Sequence, residues 1–108
     1  MLAKKYRLQI QSVLNKSGRV FKSRSFLIKT FLNKEDFNRF GVVISKKVDK
    51  RATGRNKIKR IVLDLAKNYV FSENPKKFDI LIIISPAMIK LEKTDIIKEL
   101  DEALQKLI

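Results

Sequence analysis

The chain has 108 residues, 25 Lys or Arg against 11 Asp or Glu, a formal net charge of +14, and neither Cys nor His. This length suits one domain spanning residues 1–108 with one core, and 44% apolar residues is ordinary for a folded protein. The missing Cys excludes disulfides, thiolate nucleophiles and the usual structural zinc sites, and the missing His removes the commonest acid–base side chain near neutral pH. A self-sufficient hydrolase is therefore not expected.

Taken in chain order, Lys4, Lys5 and Arg7 are not followed by an apolar run of signal-peptide length, and Ile80 to Ile84, the longest apolar stretch, is too short to span a bilayer. The expectation is a cytoplasmic protein with no membrane partner. Leu2, Tyr6, Ile10, Val13 and Leu14 recur at helical spacing and predict a first amphipathic helix over Leu2 to Leu14, stopped by Ser17-Gly18. Arg19 to Lys22 can begin an edge strand. Phe26 to Leu32 and Phe40 to Ser45, separated by the polar turn Asn33 to Asn38, predict an antiparallel hairpin. Thr53 is placed as N-cap of a helix ending near Phe71, whose stripe is Ile58, Ile61, Val62, Leu65 and Tyr69. Phe78 to Ser85, bounded by Pro86, reads as a central strand buried on both faces. Asp95 to Leu107 predicts a last helix capped by Thr94 or Asp95, giving the order α-β-β-β-α-β-α.

The charge is not spread evenly. Residues 1–60 hold 18 basic and 3 acidic side chains, a net of +15, whereas residues 61–108 hold 7 and 8, a net of −1. Residues 46–60 alone carry Lys46, Lys47, Lys50, Arg51, Arg55, Lys57, Lys59 and Arg60 against Asp49, so half of the net charge sits on 15 residues. On a helix, Arg55, Asn56, Lys59, Arg60 and Lys67 fall away from the apolar stripe, which offers cations on the face opposite the buried one. Surfaces normally intersperse both signs, so this density points to a polyanion, with nucleic acid first and an anionic membrane second. Strand alternation puts Leu27, Lys29 and Phe31 on the side opposite Phe26, Ile28 and Thr30, and Ser45 and Lys47 on one side of the neighbouring strand. Lys29, Ser45 and Lys47 can line one groove for a single strand, with Phe21 or Phe31 as a base platform or, on their usual burial, as core.

The order of residues here adds a resemblance. Gly41-Val42-Val43-Ile44-Ser45-Lys46-Lys47, then Ala52, then Arg55-Asn56-Lys57-Ile58-Lys59-Arg60-Ile61, resembles the signature of the protein subunit of bacterial ribonuclease P. The resemblance implies an α+β two-layer sandwich with a left-handed β-α-β crossover, similar to the second domain of a small-subunit ribosomal protein. It also implies partnership with a catalytic ribonuclease P RNA subunit and precursor tRNA, whose 5′ leader is removed by an endoribonuclease whose chemistry and Mg²⁺ belong to the RNA. Lys46, Lys47, Lys50, Arg51, Arg55, Asn56, Lys57, Lys59 and Arg60 become the expected RNA-binding residues, and Ile10, Leu14, Lys29 and Ser45 the leader-groove candidates, with no catalytic or metal-holding residue in the protein. Two departures stand out. Lys57 replaces the family's usual second Arg, which keeps the charge but loses the bidentate fork, and Ile10 and Leu14 stand where aromatic rings are common. On spacing alone, Ile10 and Leu14 are core residues of a helix.

Three other readings compete. A ribosomal or ribosome-associated structural protein shares the composition but not the ordered block. A protein-only nuclease needs a carboxylate cluster, whereas Asp49, Asp64 and Asp79 are scattered. A membrane binder would have to expose the apolar stripe that the predicted core buries.

Overall fold

A computed structural model describes residues 2–13 and 15–108. Four strands, β1 (Arg19–Lys22), β2 (Phe26–Leu32), β3 (Arg39–Val43) and β4 (Phe78–Ile84), form one sheet in the order β1-β2-β4-β3. Two helices, α1 (Ala52–Ala66) and α2 (Lys93–Leu107), pack on one face. The mixed α+β class expected from the sequence is the class observed.

β4 takes the centre because six of its seven residues are buried, which only a strand paired on both edges and covered on both faces can achieve. It runs antiparallel to β2 (Ile28 opposite Ile82) and parallel to β3 (Val42 opposite Ile82). The predicted pairing of Phe26–Leu32 with Phe40–Ser45 is therefore replaced: β4 inserts between them, and the hairpin is β1 with β2, Phe21 opposite Ile28. The linker from Asn33 to Asn38 crosses β4 instead of turning tightly. It is fastened by the backbone N–H of Asn33 to the Lys77 carbonyl (3.0 Å) and by Asn38, which is fully buried. Asn38 donates its amide to the Tyr69 carbonyl (2.7 Å) and the Ser72 hydroxyl (3.1 Å), and its Oδ1 accepts the Phe78 N–H (2.7 Å).

The first predicted helix does not form. Lys4–Tyr6 and Ile10–Ser12 are single 3-10 turns, and between them Arg7 bridges in parallel to Phe40 while the Leu8 N–H donates to the Phe40 carbonyl at 2.8 Å. The apolar residues that share one stripe on a helical wheel serve two clusters here. Leu2 and Tyr6 join the core beneath the helices, whereas Leu8, Ile10 and Val13 lie on the opposite sheet face with Phe31, Leu81, Val43 and Ile83. An extended segment can close the free edge of β3 and cover part of the second face, and a helix could not do both. Gly41 permits the close approach, since a Cβ there would stand 3.2 Å from the Ile10 side chain.

α1 buries Ile58, Val62, Leu63 and Ala66, with Ile61 and Leu65 partly covered; it ends at Ala66 and passes into a 3-10 turn over Lys67–Tyr69. Its N-cap is Arg51, not Thr53, and that of α2 is Glu92, not Thr94 or Asp95. Both helices begin earlier than predicted: no side chain caps either start, so a capping residue type does not mark the boundary. α2 buries Ile96, Leu100, Ala103, Leu104 and Leu107.

Candidate nucleic-acid interface

The connector from β3 to α1 is built around two inward-facing residues. Val48 is buried in the core, and Asp49 is the one carboxylate among residues 46–60. Asp49 Oδ1 accepts the Arg51 N–H at 2.9 Å, and its carboxylate pairs with the Arg51 guanidinium (Nη2 to Oδ2 3.2 Å). These bonds hold its pKa below the usual carboxylate value, the Arg51 side-chain hydrogen bond being the main cause. Gly54 leaves the space for it, since a Cβ at that position would lie 1.8 Å from Asp49 Oδ2. Arg55 Nη1 closes the connector by donating to the carbonyls of Asp49 (2.9 Å) and Lys50 (3.0 Å).

Pinning Val48 and Asp49 inward leaves Ser45, Lys46, Lys47, Lys50 and Arg51 exposed around them. On α1, Asn56, Lys57, Lys59 and Arg60 are exposed too, but on two flanks. Asn56, Lys59 and Arg60 line one shallow groove with Leu63 and Asp64, whereas Lys57 lines another with Arg51, Ile61, Ile89 and Lys93. Arg55 is only half-exposed because it folds back on the connector, so it is a structural member of the site as well as a cation. A helical wheel, which places side chains by angle alone, does not show that return.

The second sheet face presents the groove candidates. Lys29 and Leu27 share it, opposite Leu81 and Ile83 of β4, whereas β3 ends at Val43, so Ser45 and Lys47, expected on one side of that strand, lie beyond it in the exposed connector. Ile10 packs over Gly41 at the edge of this face, and Leu14 lies outside the described residues. Phe31 is buried at 5% exposure beneath Leu8 and Val13, and Phe21 stacks on Phe26 on the helix side (centroids 6.2 Å), so neither offers a free ring to this groove. The exposed aromatic ring lies elsewhere: Phe71 is 67% exposed and edge-on to Tyr6 at 5.6 Å.

Two further carboxylates are engaged structurally. Asp79 is buried and forms a two-point pair with Arg39 (2.7 and 2.9 Å) and accepts the Asn33 amide at 3.0 Å. Asp101 accepts the Tyr69 hydroxyl. Among the described residues no group of three or more Asp, Glu, His or Cys could hold a metal ion, and no helix is long and apolar enough to cross a membrane.

A four-stranded sheet with helices on one face, a second face partly covered by the N-terminal segment and a cation-rich connector defines a nucleic-acid-binding α+β domain. The comparisons with known proteins are specific. The ribonuclease P family model matches residues 2–108, and the chain belongs to that family. The ribonuclease P protein component of Marinomonas sp. (strain MWYL1) is 34% identical over 97 residues, covering 90% of this chain and 72% of the relative. A Staphylococcus aureus RNase P protein mutant, described as defective in mRNA degradation activity, superposes with a TM-score of 0.82 at 30% identity, over 96% of this chain and 89% of that one. The RNase P protein from Thermotoga maritima gives 0.77 at 25% identity, over 93% and 96%. RNA binding and tRNA processing follow from the family, and the ribosomal reading is not favoured.

Proposed function

We propose that the chain binds the RNA subunit of ribonuclease P through the connector and the outer flanks of α1, and holds the 5′ leader of precursor tRNA along the uncovered part of the sheet face away from the helices. The observation that carries this is the connector itself. Its single carboxylate is turned inward and paired, so Lys46, Lys47 and Lys50 act outward without a neutralising partner, and α1 extends the surface through Asn56, Lys57, Lys59 and Arg60. Lys and Arg contacts to phosphates draw affinity from counterion release, which suits a large RNA. Lys29, Ser45 and Lys47 supply polar and charged contacts to the leader, and Ile10 and its aliphatic neighbours an apolar floor in place of stacked rings.

Cleavage belongs to the RNA in this reading. Asp49 and Asp79 are held by arginines, and no cluster of metal-ligating side chains is present among the described residues, so the protein's groups do not fit a Mg²⁺ site of their own. Mg²⁺ then enters with the RNA. The test is reconstitution with a bacterial ribonuclease P RNA at low Mg²⁺. The protein should raise 5′-leader cleavage of precursor tRNA, and nuclease-free protein without RNA should cleave nothing. Cleavage by the protein alone would reverse the assignment.

A further inference from the structure

A concavity of about 870 Å³ lies at the opposite end of the sheet from the connector. The Lys16–Arg19 stretch, the Asn74–Lys76 loop and the last turn of α2 meet there over a floor that includes Phe31, Phe78 and Leu107. Its rim carries four exposed cations, Lys16, Arg19, Lys76 and Lys106, and no Asp or Glu side chain lines it. None of the four makes an ion pair among the described residues. The backbone sets this arrangement. Gly18 is pressed against β2, where a Cβ would stand 2.3 Å from the Thr30 carbonyl oxygen and 2.7 Å from the Phe31 ring, and this seats Lys16 and Arg19 at the cleft. In the neighbouring loop Lys77 turns back to donate to the carbonyls of Ser72 (2.6 Å) and Asn74 (2.8 Å), while Lys76 stays at the rim.

We propose that this cleft is a second binding site for an RNA phosphodiester backbone, separate from the connector and α1. The cations ring an open groove instead of converging on one point, which suits a chain of phosphates better than a single small anion. The Arg19 guanidinium adds a planar fork matched to phosphate oxygens. The inference rests on the RNA-binding reading above and adds a binding surface at the far end of the molecule.

The test measures dissociation constants for a bacterial ribonuclease P RNA transcript across a salt series. The cleft variant Lys16→Gln/Lys76→Gln/Lys106→Gln changes exposed side chains only, and circular dichroism confirms its fold. Its salt slope should fall by about three, one for each phosphate that is no longer neutralised, and its affinity by about tenfold or more. A control variant, Lys34→Gln/Lys90→Gln/Lys98→Gln, removes the same charge elsewhere and should stay within about twofold of wild type on the same counterion argument. If the cleft variant matches the control while Lys59→Gln/Arg60→Gln weakens binding, the cleft inference is wrong and the α1 reading stands. If all the variants match wild type, both are wrong. The absence of Cys permits a local check with a photo-crosslinker on a unique thiol. Gln105→Cys at the cleft should crosslink to nucleotides different from those reached by Lys50→Cys. Failure of Gln105→Cys alone to crosslink would overturn the proposal.

Discussion

Where β3 ends and α1 begins, eight cations fall within fifteen consecutive residues and surround one inward-turned carboxylate; at the other end of the sheet, Lys16, Arg19, Lys76 and Lys106 come from three distant stretches and meet because β1, the loop before β4 and the end of α2 converge. The first surface is dense because its chain is dense. The second is made by tertiary structure, and half of its cations come from residues 61–108, which carry a net charge of −1. A chain can thus be nearly neutral over a segment and still contribute to a basic site, because the fold sorts its cations from its carboxylates.

If tertiary structure makes the far end, breaking its bracket should matter most. Asn38 is fully buried and satisfies three partners from its side chain, so Asn38→Ala should cost about 3 kcal/mol, by stranding the Phe78 N–H and the Tyr69 carbonyl. Lys59→Ala, on an exposed helix face, should stay within about 0.5 kcal/mol. Urea denaturation of the two variants checks the contrast, and equal midpoints would erase it.

The RNA surface at the connector end separates next. Lys57→Ala should weaken binding of the RNA subunit by about 1 to 3 kcal/mol if it makes a charge-assisted phosphate contact, less where solvent screens it, and Lys57→Arg should bind as well or better. Dissociation constants at one salt concentration decide, and alanine binding as tightly as lysine places position 57 off the RNA. Arg55→Ala differs from Arg60→Ala in kind. Arg55 ties two connector carbonyls, so its removal should cost about 1 kcal/mol of stability as well as affinity, whereas Arg60→Ala should cost affinity alone. Thermal melts beside binding curves separate the two.

A sign reversal tests the connector's inward carboxylate. On helix propensity alone Gly54→Ala should stabilise by up to about 1 kcal/mol. Here the new Cβ collides with Asp49 Oδ2, so Gly54→Ala should destabilise in the natural sequence and stabilise in an Asp49→Ala background. Denaturation of the four proteins in this cycle reads the coupling, and additivity would show that Asp49 and Gly54 do not depend on each other.

The unequal legibility of the two ends has physical causes. Element types from β1 onward follow from short-range pattern: the seven-residue run of β4, apolar but for Asp79, could only be central, and the stripe of α1 is legible in part, with Ile58 and Val62 buried as expected, Ile61, Leu65 and Tyr69 half-buried, and Leu63 and Ala66 buried outside the expected stripe. The Ser45-Lys46-Lys47 and Arg55-to-Arg60 block is equally plain, because its residues are neighbours in the chain. Pairing is not. The linker between β2 and β3 has the composition of a turn, and nothing local reveals that Asn33 and Asn38 are fastened to residues 40 or more positions away. The N-terminal helix is misread for a related reason: helical spacing cannot distinguish one buried stripe from Leu2 and Tyr6 facing one cluster and Leu8, Ile10 and Val13 another. Arg55's return to the connector has one legible cue, an isolated Asp five residues before a Gly in a basic run.

The smallest effects should fall at opposite ends of the pH scale. At the connector, Asp49 has a depressed pKa because the folded state bonds its charged form, so its contribution is present above the unfolded carboxylate value near 3.8 and is lost as pH falls through the lower folded value. Beyond the other end of α1, Tyr69 is pushed up to about 12, first by burial and then by its bond to Asp101. The neutral phenol is the form the fold favours, so that contribution is intact below the ordinary tyrosine value of 10.0 and disappears as pH rises towards about 12. Tyr69→Phe should therefore cost about 1 kcal/mol near neutral pH and converge with wild type in the alkaline range, while Asp49→Asn should converge with it in acid. Melting temperatures of the three proteins across pH make the comparison, each difference being taken against wild type so that lysine titration cancels. A Tyr69→Phe difference that stayed constant through the alkaline range would mean that the hydroxyl does not join the turn after α1 to α2 through Asp101, and would remove the titrating tie from that end of the fold.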